Sequence, residues 1–111
     1  MNEIFDPNEV LDQIGGDEDL LKELIDIFKD SYKEDLSSIA DAIDSGNCED
    51  IRSAAHRMKG SVGNFGRKRA FEAAYLLETH AREGKMDLIM GSFEELSSEI
   101  QRLVDRLDSY S

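Results

Sequence analysis

Apolar residues recur every three or four positions through most of this chain, and that spacing predicts helices. Ile25, Phe28, Tyr32, Leu36, Ile39 and Ile43 form one stripe, and Ile51, Ala55, Met58, Val62 and Phe65 a second. Ile89, Phe93, Leu96, Ile100, Leu103 and Leu107 form another, with an alanine-rich segment from about Lys68 to Glu83 before it, closed by Gly84. The boundaries agree with the stripes. Asp6-Pro7-Asn8-Glu9 reads as a cap, a proline at the first helical position and an acid three residues after the cap, opening a short helix to about Ile14. Gly15-Gly16 stops it, and Asp17 caps a second helix to about Asp44. Ser45-Gly46 ends that helix, and Asn47 caps a third that runs until about Gly66. Short turns make neighbours antiparallel. The expected fold is therefore all-α: an antiparallel up-down-up-down four-helix bundle with a short extra N-terminal helix, one domain over residues 1–111.

Composition narrows the function. The 111 residues carry a formal net charge of −12, which argues against a surface built wholly for nucleic acid or anionic lipid. Cys48 is the single cysteine, so an internal disulfide and a thiolate-rich zinc site are excluded and a reducing compartment fits. The longest apolar run, Ala73 to Leu77, is far too short to span a bilayer, and no signal peptide opens the chain. The expectation is a cytoplasmic protein without a membrane partner.

Charge is uneven along the chain. Residues 1–50 carry a net −13 and residues 70–111 a net −5. Between them, Arg52, Arg57, Lys59, Arg67, Lys68 and Arg69 occur with no acid, a net of +6. A basic island of this kind is suited to an anionic partner. On a wheel of about 100° per residue with Ala55 at zero, Ile51, Met58, Val62 and Phe65 fall between about −20° and −80°. Arg52, His56, Lys59, Gly60 and Gly63 fall between about +40° and +140°. The third helix thus has a second face with an imidazole, two cations and two bare backbone positions. Glycine inside a helix costs roughly 1 kcal/mol relative to alanine, and here it leaves the ring open to a close-approaching partner. A nucleophilic histidine needs a free ring nitrogen, access and a nearby cation. A lone helical histidine is also an ordinary polar surface residue, and terminal basic residues also favour a helix dipole.

The run Ala55-His56-Arg57-Met58-Lys59-Gly60-Ser61-Val62-Gly63-Asn64-Phe65-Gly66 resembles the signature of histidine-containing phosphotransfer (HPt) domains. The resemblance extends to the acidic first helix, the Gly-Gly break, the long second helix with Phe28, and the Leu-Leu-Glu run of the fourth. It implies that His56 is phosphorylated, with Lys59 as its electrostatic partner and Gly60 leaving room for a receiver domain. Glu78 matches the position whose side chain bonds the histidine's other ring nitrogen. Two positions depart from the family pattern: Met58 stands for the usual leucine, and Arg67-Lys68-Arg69 for a commoner small residue. Docking is expected around His56, with Arg52, Arg57, Gly60, Gly63, Arg67, Lys68 and Arg69 at the interface.

No phosphate cradle for ATP is visible: Gly60, Gly63 and Gly66 fail the dinucleotide spacing, and Lys59-Gly60-Ser61 has the wrong order for a Walker loop. The chain is therefore expected to be a carrier without kinase activity, a cofactor or a metal of its own. Mg²⁺ would come with the partner receiver domain. Expected partners are response-regulator receivers and a hybrid histidine kinase, with the chain itself a monomer and no nucleic acid bound. Cys48 and His56, about 12 Å apart along one helix axis, cannot act as a nucleophile–base pair. His80 is expected at the surface of the fourth helix, and Phe28, Tyr32, Tyr75 and Phe93 in the core. Rival readings are a module cut from a hybrid or chemotaxis-type histidine kinase, and a helical adaptor that is never phosphorylated.

Overall fold

The computed structural model describes residues 3–110. Five helices follow one another: α1 (Pro7–Gln13), α2 (Glu18–Ser45), α3 (Cys48–Gly63), α4 (Arg69–Arg82) and α5 (Met86–Tyr110). Their starts are set by side-chain caps. Asp6 accepts from the backbone N–H groups of Asn8 and Glu9, Asp17 from that of Leu20, and Asn47 from that of Asp50. Each cap satisfies a donor that has no partner within its own helix. Glu9 does not fold back on the first cap; its carboxylate lies 2.8 Å from Lys68 Nζ and ties α1 to the start of α4.

α2 to α5 form the antiparallel bundle, each packed on the next and α5 closing on α2. Lys29 Nζ lies 2.6 Å from Asp108 of α5, so the first half of α2 runs beside the last turn of α5. Twenty-eight helical residues at about 1.5 Å each make α2 about 42 Å long, which is the long dimension of the molecule, 42 Å. The core holds the expected stripes. Ile25, Phe28, Ile39, Ile51, Met58, Val62, Leu96, Ile100, Leu103 and Leu107 are buried, and Tyr32, Leu36, Ile43 and Phe93 are partly buried against them. The segment leading into α1 plugs one end: Phe5 meets Phe65 and Tyr110 edge-on at centroid distances of 6.1 and 5.9 Å.

α3 ends at Gly63, three residues before the expected Gly66. Phe65 and Gly66 accept no further α turn; their N–H groups bond the carbonyls of Val62 and Gly63 instead. Gly66 has φ +103, a conformation side-chain-bearing residues rarely adopt, and the chain turns there towards α4.

The face α4 presents to the bundle is mostly alanine: Ala70, Ala73, Ala74 and Ala81 are buried, with Leu77 and Glu78. α3 answers with Ala54 and Ala55. Small side chains on both surfaces let the two backbones approach closely, which brings the short Glu78 side chain within reach of α3.

Candidate functional site

His56 stands on α3 with its side chain 61% exposed, and its Nδ1 lies 2.7 Å from Oε2 of Glu78, which is 2% exposed. An ionised carboxylate only accepts, so Nδ1 carries the proton and donates it. In the neutral ring the tautomer follows: Nε2 keeps the lone pair, on the side of the ring away from the Nδ1–Glu78 contact. Lys59, one turn along α3, places Nζ 2.7 Å from the other oxygen, Oε1. Arg82 on α4 adds a looser contact, Nη2 to Oε2 at 3.6 Å. One buried carboxylate therefore organises an imidazole and two cations.

Burial alone would push the Glu78 carboxyl up; Lys59 and His56 outweigh it and hold the group below its ordinary value. The sign for stability is then fixed. A carboxyl that titrates lower folded than unfolded stabilises the fold above the ordinary carboxylate range, and that contribution is lost as pH falls through the folded value. In Glu78→Gln the titrating group is gone, so thermal melts should lose less stability than wild type between pH 5 and about pH 3. An identical acid limb in the two proteins would contradict the charged pairing.

Gly60, one turn beyond His56, is open: a Cβ built there meets nothing within 4 Å. Gly63 differs from the expected bare position. Its Cβ would touch the Phe71 ring at 3.5 Å, so α4 covers this glycine. The basic island is also less free than its sequence suggested. Arg52 is salt-bridged to Glu49 at 2.5 Å, Lys68 to Glu9, and Arg69 lies 3.8 Å from Glu3 and 3.9 Å from Glu99. Arg57 and Arg67 make no ion pair among the described residues; Arg57 borders a groove with Asp41 and Asp50, and Arg67 lies 5.3 Å over the Phe71 ring. Only Arg52 and Lys59 share the His56 side of α3 by helical position.

Two expectations need correction. Tyr75 is not core: it is 49% exposed, and the Lys59 ammonium sits 4.9 Å from its ring centroid. It falls about 100° round α4 from Ala74, at the margin of the alanine face. His80 is partly buried rather than a plain surface residue, with Nδ1 2.5 Å from Ser92 Oγ. Ser92 donates its single hydroxyl proton to the Leu88 carbonyl, so the His80 Nδ1–H must be the donor in that contact. Cys48 opens α3 as expected, its Sγ 3.3 Å from Met86 Sδ. Tyr75 and Arg82 are the site neighbours that sequence reasoning passed over. Their signal was present: they stand three residues before and four after Glu78, on its side of the helix.

No group of three or more His, Cys, Asp or Glu among the described residues could hold a metal, and none of their helices is long and apolar enough to cross a membrane.

A helical bundle that presents a histidine beside a buried carboxylate and a lysine defines a class of protein built around one accessible imidazole. The Hpt domain family model matches residues 23–109, and the chain belongs to that family, the histidine phosphotransfer domains of phosphorelays. The chain also matches the crystal structure of histidine-containing phosphotransfer protein B (HptB) from Pseudomonas aeruginosa PAO1. The TM-score is 0.89 at 23% sequence identity, over 99% of this chain and 96% of that one, a shared fold. No curated protein sequence matches the chain.

Proposed function

We propose that this chain is a phosphorelay carrier: His56 Nε2 accepts a phosphoryl group from a receiver-domain aspartyl phosphate and passes it to a second receiver. The observation that carries the reading is the 2.7 Å bond from His56 Nδ1 to buried Glu78, which leaves Nε2 as an exposed lone pair. In the step proposed, that lone pair attacks phosphorus, an Nε2–P bond forms, and the P–O bond to the aspartate breaks with its electrons leaving on the carboxylate. The ring keeps its Nδ1 proton and so becomes cationic, against the Glu78 carboxylate that offsets the charge. The reverse step regenerates the neutral ring, which suits a carrier. The receiver would supply its own acidic pocket and Mg²⁺. A receiver borne by a hybrid histidine kinase is the proposed donor and a response regulator the acceptor.

Gly60 leaves the surface beside the ring flat, and Lys59 supplies positive charge one turn away. The remaining basic residues contribute unequally on this reading. Arg52 shares the His56 side but is paired with Glu49, and Lys68 and Arg69 are likewise engaged with acids of the protein's own surface.

The test is incubation with a receiver phosphorylated with labelled phosphate, followed by isolation of the chain. Wild type should acquire acid-labile, base-stable label; none at any receiver concentration would overturn the carrier reading and leave the unphosphorylated adaptor. Lys59→Ala should slow transfer by about tenfold or more, since it removes a preorganised charge from the transferring group. Equal rates would show that the ammonium does not face the phosphoryl group.

A further inference from the structure

Lys59 has two claims on it. Its ammonium is 2.7 Å from Glu78 Oε1 and 4.9 Å from the Tyr75 ring centroid, and its side chain is only 21% exposed. Tyr75 and Glu78 are three residues apart on α4, so a single helical turn presents both to α3. The tyrosine contributes little to the core, being half exposed; the contact it makes is with the cation.

We infer that Tyr75 is a positioning residue for Lys59, holding its ammonium beside Glu78 until a phosphoryl group on His56 takes it over. The inference rests on the phosphotransfer reading above and concerns how the charges rearrange within it. For Nε2 to attack, the imidazole must be neutral, and Lys59 is then the nearest full countercharge to the buried Glu78 carboxylate. After attack the ring retains its Nδ1 proton, carries phosphorus on Nε2 and is cationic, facing the Glu78 carboxylate that its Nδ1–H meets at 2.7 Å in the resting protein. Glu78 then has a second close cation, while the phosphoryl oxygens have acquired negative charge with none. The ammonium is therefore surplus at Glu78 and wanted at the phosphoryl group. Arg82, at 3.6 Å from Oε2, stays with the carboxylate when Lys59 leaves it. A lysine stem is flexible and its ammonium strongly hydrated. An aromatic face attracts the charge without the fixed direction of a hydrogen bond, so it confines Lys59 near the ring without locking it to one acceptor.

The experiment is a double-mutant cycle with a small donor, phosphoramidate, that needs no docking surface. Its P–N bond breaks, ammonia leaves with a solvent proton, and the Nε2–P bond forms. Tyr75→Leu should slow phosphohistidine formation about two- to fivefold, the effect of one partly exposed cation–π contact. Tyr75→Phe, which keeps the ring and loses only the hydroxyl, should restore the wild-type rate. In a Lys59→Ala background, Tyr75→Leu should cause no further slowing. Lysine side-chain spectra supply the second readout: Lys59 CεH₂ should be ring-shielded in the resting wild type, and released from shielding on phosphorylation. Equal slowing by Tyr75→Leu with and without Lys59, failure of Tyr75→Phe to rescue, or shielding unchanged by phosphorylation would overturn the positioning role while leaving His56 as the acceptor. No phosphohistidine in wild type with either phosphoramidate or a phosphorylated receiver would overturn the carrier reading and this inference with it.

Discussion

A His56→Gln variant should fold as wild type does and accept no phosphoryl group from any donor. The ring is 61% exposed, so its removal takes little apolar contact from the core. Glutamine retains an N–H donor that can reach towards Glu78, which spares the buried carboxylate the loss of a partner. Leaving that charge unpaired would itself destabilise the fold, since a buried charge stripped of one partner commonly costs about 3–5 kcal/mol. What glutamine lacks is the nucleophile: an amide nitrogen has no available lone pair. Circular dichroism and thermal melts close to wild type, together with label at background, are the expected pair of results. Label retained at wild-type levels would move the acceptor elsewhere, and His80 would be the first place to look.

Gly60→Gln should abolish transfer from a phosphorylated receiver while leaving phosphorylation by phosphoramidate within about twofold of wild type. The substitution is made where a side chain meets nothing within 4 Å, so the bundle has no reason to resist it. Glycine is also the poorest ordinary residue for a helix interior, and replacing it in open space stabilises the helix by up to roughly 1 kcal/mol. The added side chain projects from the same side of α3 as His56, one turn on, where a partner's surface would have to come close to the ring. A small donor needs no such approach. Comparing the two donors therefore separates docking from chemistry. Equal loss with both donors would mean that the site itself had been distorted, and unchanged transfer from the receiver would mean that docking avoids this turn.

Much of the architecture was legible because it depends on local chemistry. Asp6, Asp17 and Asn47 cap the helices they were expected to cap, since a short polar side chain beside unpaired N–H groups is settled within one turn. The placement of His56 and Lys59 on one side of α3, away from Met58 and Val62, follows from helical periodicity alone. Contacts between helices were not legible in that way. That Glu78 matches the position of the histidine's partner came from the family resemblance, because the rotation of α4 about its axis is left loose by an alanine-rich stripe. The same looseness explains Tyr75. At the margin of a stripe, a few tens of degrees of rotation decide whether a ring is buried or lies under a lysine. His80 was misplaced for a related reason, its partner Ser92 being a serine within an otherwise apolar face of α5.

The basic island illustrates the limit of counting charges along a chain. Residues 51–69 contain no acid, yet the fold brings Glu78 to Lys59, Glu9 to Lys68, and Glu3 and Glu99 to Arg69. Much of the neutralisation came from segments remote in sequence, and for Arg52 from Glu49 one turn before it. The island's cations left without an ion pair among the described residues, Arg57 and Arg67, lie off the His56 side of α3, so the linear +6 overstates the free charge around the ring. The charge that matters for phosphoryl chemistry is the arrangement around Glu78, where one buried carboxylate meets an imidazole at one oxygen and an ammonium at the other.

Long-range ¹H–¹⁵N spectra of the histidine rings, recorded before and after phosphorylation by a receiver aspartyl phosphate, locate the transferred group atom by atom. The expected result is phosphorus on Nε2 of His56, with Nδ1 still protonated towards Glu78 and the His80 ring unchanged. Phosphorus on Nδ1 of His56, on His80, or on neither histidine would contradict the carrier mechanism.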